Sequence, residues 1–229
     1  MREIVLDTET TGFEPESGDR IVEIGAVELL NHMPTGRTYH QYINPQRSMP
    51  KEAFEVHGLG DEFLADKPLF KAIAQDFLDF VAEDSILVIH NASFDMKFLN
   101  AELGWLNMPK IPMERSLDTV AMARKKFPGS PASLDALCRR FNIDNSARTL
   151  HGALLDSEIL AEVYLELIGG RQPGLVLANV EKTNVASQGG VWKPKPRANP
   201  LPPRLTEAEL AAHAEFVDAM GDDALWKKA

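Results

Sequence analysis

Apolar and polar residues alternate along three early stretches of the chain. Residues 2–7 and 20–30 carry β-branched, alternating character, clearest from Arg20 through Leu29. A third extended run, Tyr39–Ile43, is stopped by Asn44-Pro45. A period of two sends successive side chains to opposite faces, so these runs predict an antiparallel meander. The period then changes. Leu69, Ile73, Phe77, Phe80 and Val81 share one face of a helix over 69–82. Ile86–Ile89 is apolar without a break, the pattern of a strand covered on both faces. Helices are expected over 93–103, 117–126, 133–141 and 152–168, the last closed by Gly169-Gly170. Strands first, then alternating strand and helix, predict an α/β domain over residues 1–170, a mixed sheet with helices packed on it.

The pattern breaks after residue 170. Residues 193–204 hold five prolines, Pro194, Pro196, Pro200, Pro202 and Pro203. Proline lacks the backbone donor and fixes φ, so residues 179–204 are expected to be a flexible, Pro-rich linker of extended type. A helix restarts at Thr206, where Thr206 and Glu209 fit a capping box. Leu210, Ala214, Val217 and Gly221, flanked by His213, Phe216 and Met220, give that helix an apolar side. It is too short to be stable alone. With Trp226 near its end, the segment 205–229 reads as a C-terminal docking helix on a tether. The competing reading is a disordered tail with chance periodicity.

Composition narrows the setting. The chain has 229 residues, 44 % apolar, with one cysteine. That excludes an intramolecular disulfide framework and a thiolate zinc cluster. Cys138, in Leu134-Asp-Ala-Leu-Cys-Arg-Arg140, looks like a buried helix position, so packing is its expected role. The chain opens on strand-like Ile4-Val5-Leu6, with no basic leader and no apolar run of membrane-spanning length. A cytoplasmic protein with no membrane contact is expected. The formal charge of −10 argues against gripping long nucleic acid by counterion release. It permits work on a strand end, because bound cations reverse the field of a carboxylate cluster. A protein so acidic would need a partner to keep it on nucleic acid.

The candidate chemistry lies in three places. Asp7 and Glu9 stand two apart near a strand end and therefore share a face. The following Thr10-Thr11-Gly12 can turn sharply, and the glycine admits a substrate to the backbone. Taken alone, the pair is as well explained by solvent exposure. Asp95 starts a helix, where the macrodipole tolerates any acid. His90, Asn91 and Phe94 beside it suit contact with a sugar or a base, though Phe94 suits the core equally. His151 precedes a helix and Asp156 sits within its first turns. An imidazole there can serve as a general base, but a solitary histidine is more often structural. Four carboxylates and one imidazole together are what is needed to hold two hard cations, Mg²⁺ or Mn²⁺, and to deprotonate a water. A metal pair about 3.5–4 Å apart is a standard device for in-line attack on a phosphodiester. The pattern points to a nuclease.

These motifs resemble those of the DEDDh 3′–5′ exonucleases over residues 4–169: Asp7-Thr8-Glu9, then Asp95, then His151 and Asp156 separated by four residues. Val56-His57-Gly58-Leu59, Ser133–Cys138 and Thr149–Asp156 are similar to segments of the proofreading branch, which serves bacterial replicative polymerases. The resemblance implies a ribonuclease H-like fold. It implies that Asp7 bridges two metals, that Glu9 and Asp156 complete the site of the attacking water, and that Asp95 supports the second metal. His151 would take the proton. Thr10, Thr11, Gly12 and His57 would hold the terminal nucleotide, unless His57 is a surface-loop histidine. Gln172, Leu175 and Leu177, within residues 171–178, resemble a sliding-clamp peptide or are plain linker. The implied partners are a single-stranded or frayed DNA 3′ end, the polymerase alpha subunit through 205–229 and Trp226, and the sliding clamp through 172–177. RNA 3′-end trimming by the same chemistry, or a recruiting module with an idle site, are the readings to be weighed against proofreading.

Overall fold

The computed structural model describes residues 1–146, 148, 150–170, 205–221 and 226. The expected clamp peptide with Gln172, Leu175 and Leu177, and the Pro-rich linker, lie outside the described residues. The chain divides into two compact units, Met1–Val176 and Leu177–Ala229.

In the first unit, strands β1 (Arg2–Thr10), β2 (Ile21–Leu30) and β3 (Met33–Tyr42) form the expected antiparallel meander. β4 (Ser85–Ile89) and β5 (Ser116–Asp118) add in parallel on the other side of β1, giving the order β3-β2-β1-β4-β5. Asn31 and His32 both take left-handed backbone conformations at the β2–β3 turn, as a two-residue hairpin of matching twist demands. β3 begins at Met33, six residues before the run seen in the sequence. Its first half is exposed and carries Pro34 and Gly36, which an edge strand tolerates and which erase the alternating signal.

Helices α1 (Lys51–His57), α2 (Asp61–Leu64), α3 (Phe70–Val81), α4 (Ala92–Trp105), α5 (Thr119–Lys126), α6 (Leu134–Phe141) and α7 (Ala153–Ile168) complete the unit. The central strands bury both faces. Ile4, Leu6, Leu87 and Ile89 pack with Phe77 of α3 and Phe98 of α4. Val5 and Val88 face the other way, onto Leu137 of α6 and Leu160, Val163 and Tyr164 of α7. That two-sided burial explains the unbroken apolar run of β4. Cys138 is fully buried in the second layer, as expected of its helix position. Among the described residues, no helix is long and apolar enough to cross a membrane.

In the second unit, α8 (Glu207–Ala219) starts with a complete capping box between Thr206 and Glu209. Leu210, Phe216 and Met220 are exposed, and the rings of His213 and Trp226 meet edge-on at 6.3 Å.

Candidate active site

Strand alternation decides which side of the sheet each acid of β1 reaches. Asp7 and Glu9 follow Val5 onto the α7 face, whereas Thr8 follows Leu6 toward α4. Opposite Asp7 in the sheet is Gly25, and a Cβ there would stand 2.1 Å from the Ala153 backbone. The missing side chain lets α7 begin directly against the strands. Ser157 Oγ ties the two together by donating to Gly25 O at 2.9 Å and Ala153 O at 2.8 Å. Farther along, Tyr164 Oη donates to the buried Glu3 at 2.5 Å. This anchoring sets Asp156, in the first turn of α7, against Glu9; ligand atoms of Glu9, His151 and Asp156 lie within 4.8 Å of one another. From the opposite layer, Thr8 Oγ1 donates to Asp95 Oδ1 at 2.7 Å and fixes the acid at the start of α4. Thr8 thus positions Asp95 from the strand that carries Asp7 and Glu9, a role that the sequence reading did not assign.

The four carboxylates are not alike. Burial pushes Asp7 well above the usual carboxylate range, reinforced by Asp95, Glu9 and Asp156. Glu9 is raised to about 8 by burial, then by Asp156 and Glu23. Asp95 is raised to about 7, chiefly by burial, against the opposing hydrogen bond from Thr8. Burial would raise Asp156 too, but hydrogen bonds from His151 and Arg148 outweigh it and hold this carboxyl low. Three buried acids thus lack the positive charge that would ionise them at neutral pH. Their all-oxygen donor set and charge deficit fit hard divalent cations.

His151 is half exposed at the rim, with Nδ1 3.3 Å from Asp156 Oδ2. Its backbone N–H donates to Val56 O at 3.1 Å, and Leu150 packs on Gly58. Two motifs almost a hundred residues apart therefore meet. His57, at the end of α1, is 5 % exposed and is not a surface-loop residue. Leu59 N–H donates to His57 Nδ1 at 3.1 Å, while Nε2 is buried beside the Thr10 backbone without a hydrogen bond. Burial, followed by the charge of His151, lowers its pKa.

A cavity of about 650 Å³ adjoins the acids, walled by Thr10, Thr11, Gly12, Phe13, His57 and Phe94 among others. Thr10 Oγ1 donates to Gly12 O at 2.6 Å and shapes the loop. Thr11 Oγ1 exchanges hydrogen bonds with Asp19 and with Arg20 N–H. The space beside Gly12 where a Cβ would point is filled by the Asp19 carboxylate, at 2.3 Å. A side chain at this position would have to displace the Asp19 carboxylate. Phe94 is half-buried against the core and also lines the cavity. Phe13, 82 % exposed, meets Phe94 edge-on at 6.3 Å, and the sequence reading had not singled it out. Asn91 caps α4 in a left-handed conformation, its N–H bonded to Asp118. His90 is turned to Thr119 at 2.9 Å. Trp226 belongs to the second unit.

A profile of the family described as Exonuclease (RNase_T) matches residues 4–164. The DNA polymerase III epsilon subunit of Rickettsia felis is 52 % identical over 225 residues, covering 96 % of this chain and 97 % of that one. That of Escherichia coli is 44 % identical over 237 residues, covering 99 % and 97 %. The chain belongs to the exonuclease family, in its DNA polymerase III epsilon branch. This exonuclease also resembles solved structures. Exonuclease X bound to 5′-overhanging duplex DNA is 26 % identical with a TM-score of 0.56, over 72 % of this chain and 90 % of that one. The nuclease domain of 3′hExo, a DEDDh family member bound to rAMP, is 18 % identical with a TM-score of 0.63, over 73 % and 91 %. The shared fold is the ribonuclease H-like mixed sheet flanked by helices expected from the motifs.

Proposed function

We propose that this exonuclease removes mispaired 3′-terminal nucleotides as the proofreading subunit of a replicative DNA polymerase, releasing nucleoside 5′-monophosphates. The observation that supports this most is the approach of Glu9, His151 and Asp156 to within 4.8 Å of one another, with Asp7 interacting electrostatically with Glu9, Asp95 and Asp156, beside a cavity of nucleotide size. Likeness to epsilon subunits over nearly the whole chain carries it to DNA polymerase III.

Asp7, Glu9, Asp95 and Asp156 would hold two divalent cations, Mg²⁺ or Mn²⁺. When bound, such a pair stabilises charge on the attacking and leaving oxygens of an in-line displacement. His151, half exposed at the rim, is the group that would accept the proton of the attacking water. Val56 O, by holding the His151 backbone, limits where the imidazole can reach. His57 Nε2, buried and unbonded on the cavity wall, is a ready donor to the terminal nucleotide. Phe13 and Phe94 offer ring faces to the last bases, worth ~1–3 kcal/mol per stacked base. Such contacts read no sequence. A mismatched end is selected because it costs less to unpair, as when a base is extruded from a duplex.

The polymerase alpha subunit would be held by 205–229 and the sliding clamp by Gln172, Leu175 and Leu177, within the bacterial replisome. The deciding experiment is digestion of end-labelled matched, mismatched and RNA-terminated primers, with and without chelator. The mismatched DNA end is expected to be shortened fastest, and only with Mg²⁺ or Mn²⁺. Equal rates on matched and mismatched ends would remove the proofreading assignment, and a preference for the RNA end would replace it with RNA trimming.

A further inference from the structure

Arg148 stands inside the acidic cluster. Its side chain is 9 % exposed, although the neighbouring His151 is 48 % exposed. Nε donates to Asp156 Oδ1 at 2.5 Å and Nη2 to Asp156 Oδ2 at 2.7 Å, a fork that occupies both oxygens of that carboxylate. Nη2 also lies 2.8 Å from His151 Nδ1, and Nη1 donates to Asp135 Oδ1 at 2.9 Å. Its charge acts on Asp7 and Glu9 as well, opposing the rise of both. One guanidinium therefore engages an acid assigned to the metals, the imidazole assigned to the water, and an acid outside both groups.

This arrangement conflicts with the loaded site. A metal at Asp156 must compete with the guanidinium fork for the same two oxygens, and a fixed positive charge at that distance repels a divalent cation. The imidazole is engaged too: its Nδ1 lies 2.8 Å from Arg148 Nη2 and 3.3 Å from Asp156 Oδ2, and it is held away from a water by both. Asp135 differs from Asp156. It is about half exposed, lies on α6 outside the carboxylate cluster, and can retain Nη1 while the other donors leave.

We infer that Arg148 is a resident counter-ion of the metal-free site, bound to Asp156 and His151 until divalent cations displace it toward Asp135. It is a positioning residue: it holds the acid and the imidazole close together before the metals arrive, and it competes with them. This inference rests on the two-cation reading of the site given above. The sign of its effect sets it apart from a permanent brace. A brace that stays on Asp156 helps the metal bind, so its loss weakens binding. A placeholder hinders the metal, so its loss strengthens binding.

The experiment is direct titration of the metal-free full chain with Mn²⁺, read by electron paramagnetic resonance, in the wild type and in Arg148→Gln. The variant is expected to bind its tighter Mn²⁺ about tenfold more strongly, the effect of removing one charge-assisted competitor. Equal or weaker binding by the variant overturns the inference while the two-cation reading stands. If the wild type and the variant both bind no Mn²⁺, the two-cation reading itself fails. A second measurement needs no variant. In ¹⁵N-labelled wild type with chelator, the Arg148 Nε–H resonance is expected to be protected from solvent exchange, and excess Mg²⁺ is expected to abolish that protection. Protection unchanged by Mg²⁺ would overturn the displacement.

Discussion

Glu9 keeps its proton to about pH 8 and Asp95 to about pH 7 because each is buried among other carboxylates. Both values lie above the ordinary ones of 4.5 and 3.8, so the folded, metal-free protein binds more protons than the unfolded chain between about pH 4 and pH 8. Excess protons on the folded side mean that stability falls as pH rises through this window. Divalent cations supply the missing charge and should reverse the trend. In chelator, the melting temperature is expected to drop from pH 5 to pH 8, and added Mg²⁺ should restore it most at pH 8. A flat profile in chelator would show that these acids are not strained by one another. At this scale the sequence identified the acids and the imidazole but not Arg148, Thr8 or Phe13. Arginines are plentiful, and nothing in the spacing of Asn145 through His151 marks one as facing inward. Thr8 is hidden between two conspicuous acids. Its importance comes from the alternation that sends it to the opposite face, onto Asp95.

At the scale of elements, the site depends on α7 starting hard against β2. The contact requires Gly25, whose absent Cβ leaves room for the Ala153 and Leu154 backbone. Replacing Gly25 by Ala inserts a methyl group where backbone already lies and forces the helix outward. A loss of about 1–3 kcal/mol in urea unfolding is expected, the range for overpacking. Hydrolysis should fall with it, because Asp156 moves with the helix. Retention of full activity would show that α7 is free to shift without harm. Most elements were legible in the apolar pattern: β1, β2, β4, α3, α4, α6 and α7 follow it within a few residues, and β3 only in its second half. Three were not. α1 has seven residues and α2 four, too few turns for a periodic signal. β5 is three half-buried residues, Ser116-Leu117-Asp118, read in the sequence as the start of the helix that follows. A strand that short is defined by its partner: Leu87, Val88 and Ile89 of β4 lie beside it.

For the whole molecule, a net charge of −10 leaves little general attraction to DNA, so retention at a primer end must come from a partner. α8 carries Leu210, Phe216 and Met220 exposed to solvent, which suits a surface awaiting cover. Removing residues 205–229 is expected to spare hydrolysis of short primers and to abolish co-elution with the polymerase alpha subunit in size-exclusion chromatography. Co-elution that survives the truncation would place the docking surface elsewhere. The capping box that announces α8 was readable because it is local: four consecutive residues supply both donors and both acceptors.

The sequence alone determined the class of fold and marked five candidate chemical groups in their order along the chain, because periodicity, turn residues and ligand chemistry are properties of short segments. Tertiary structure decided what those groups experience. Only folding brings Val56 to His151, Asp19 into the space beside Gly12, and a guanidinium between Asp156 and Asp135. Burial and neighbouring charge set the affinity for protons and cations, and both depend on residues far apart in the chain. No local pattern encodes them.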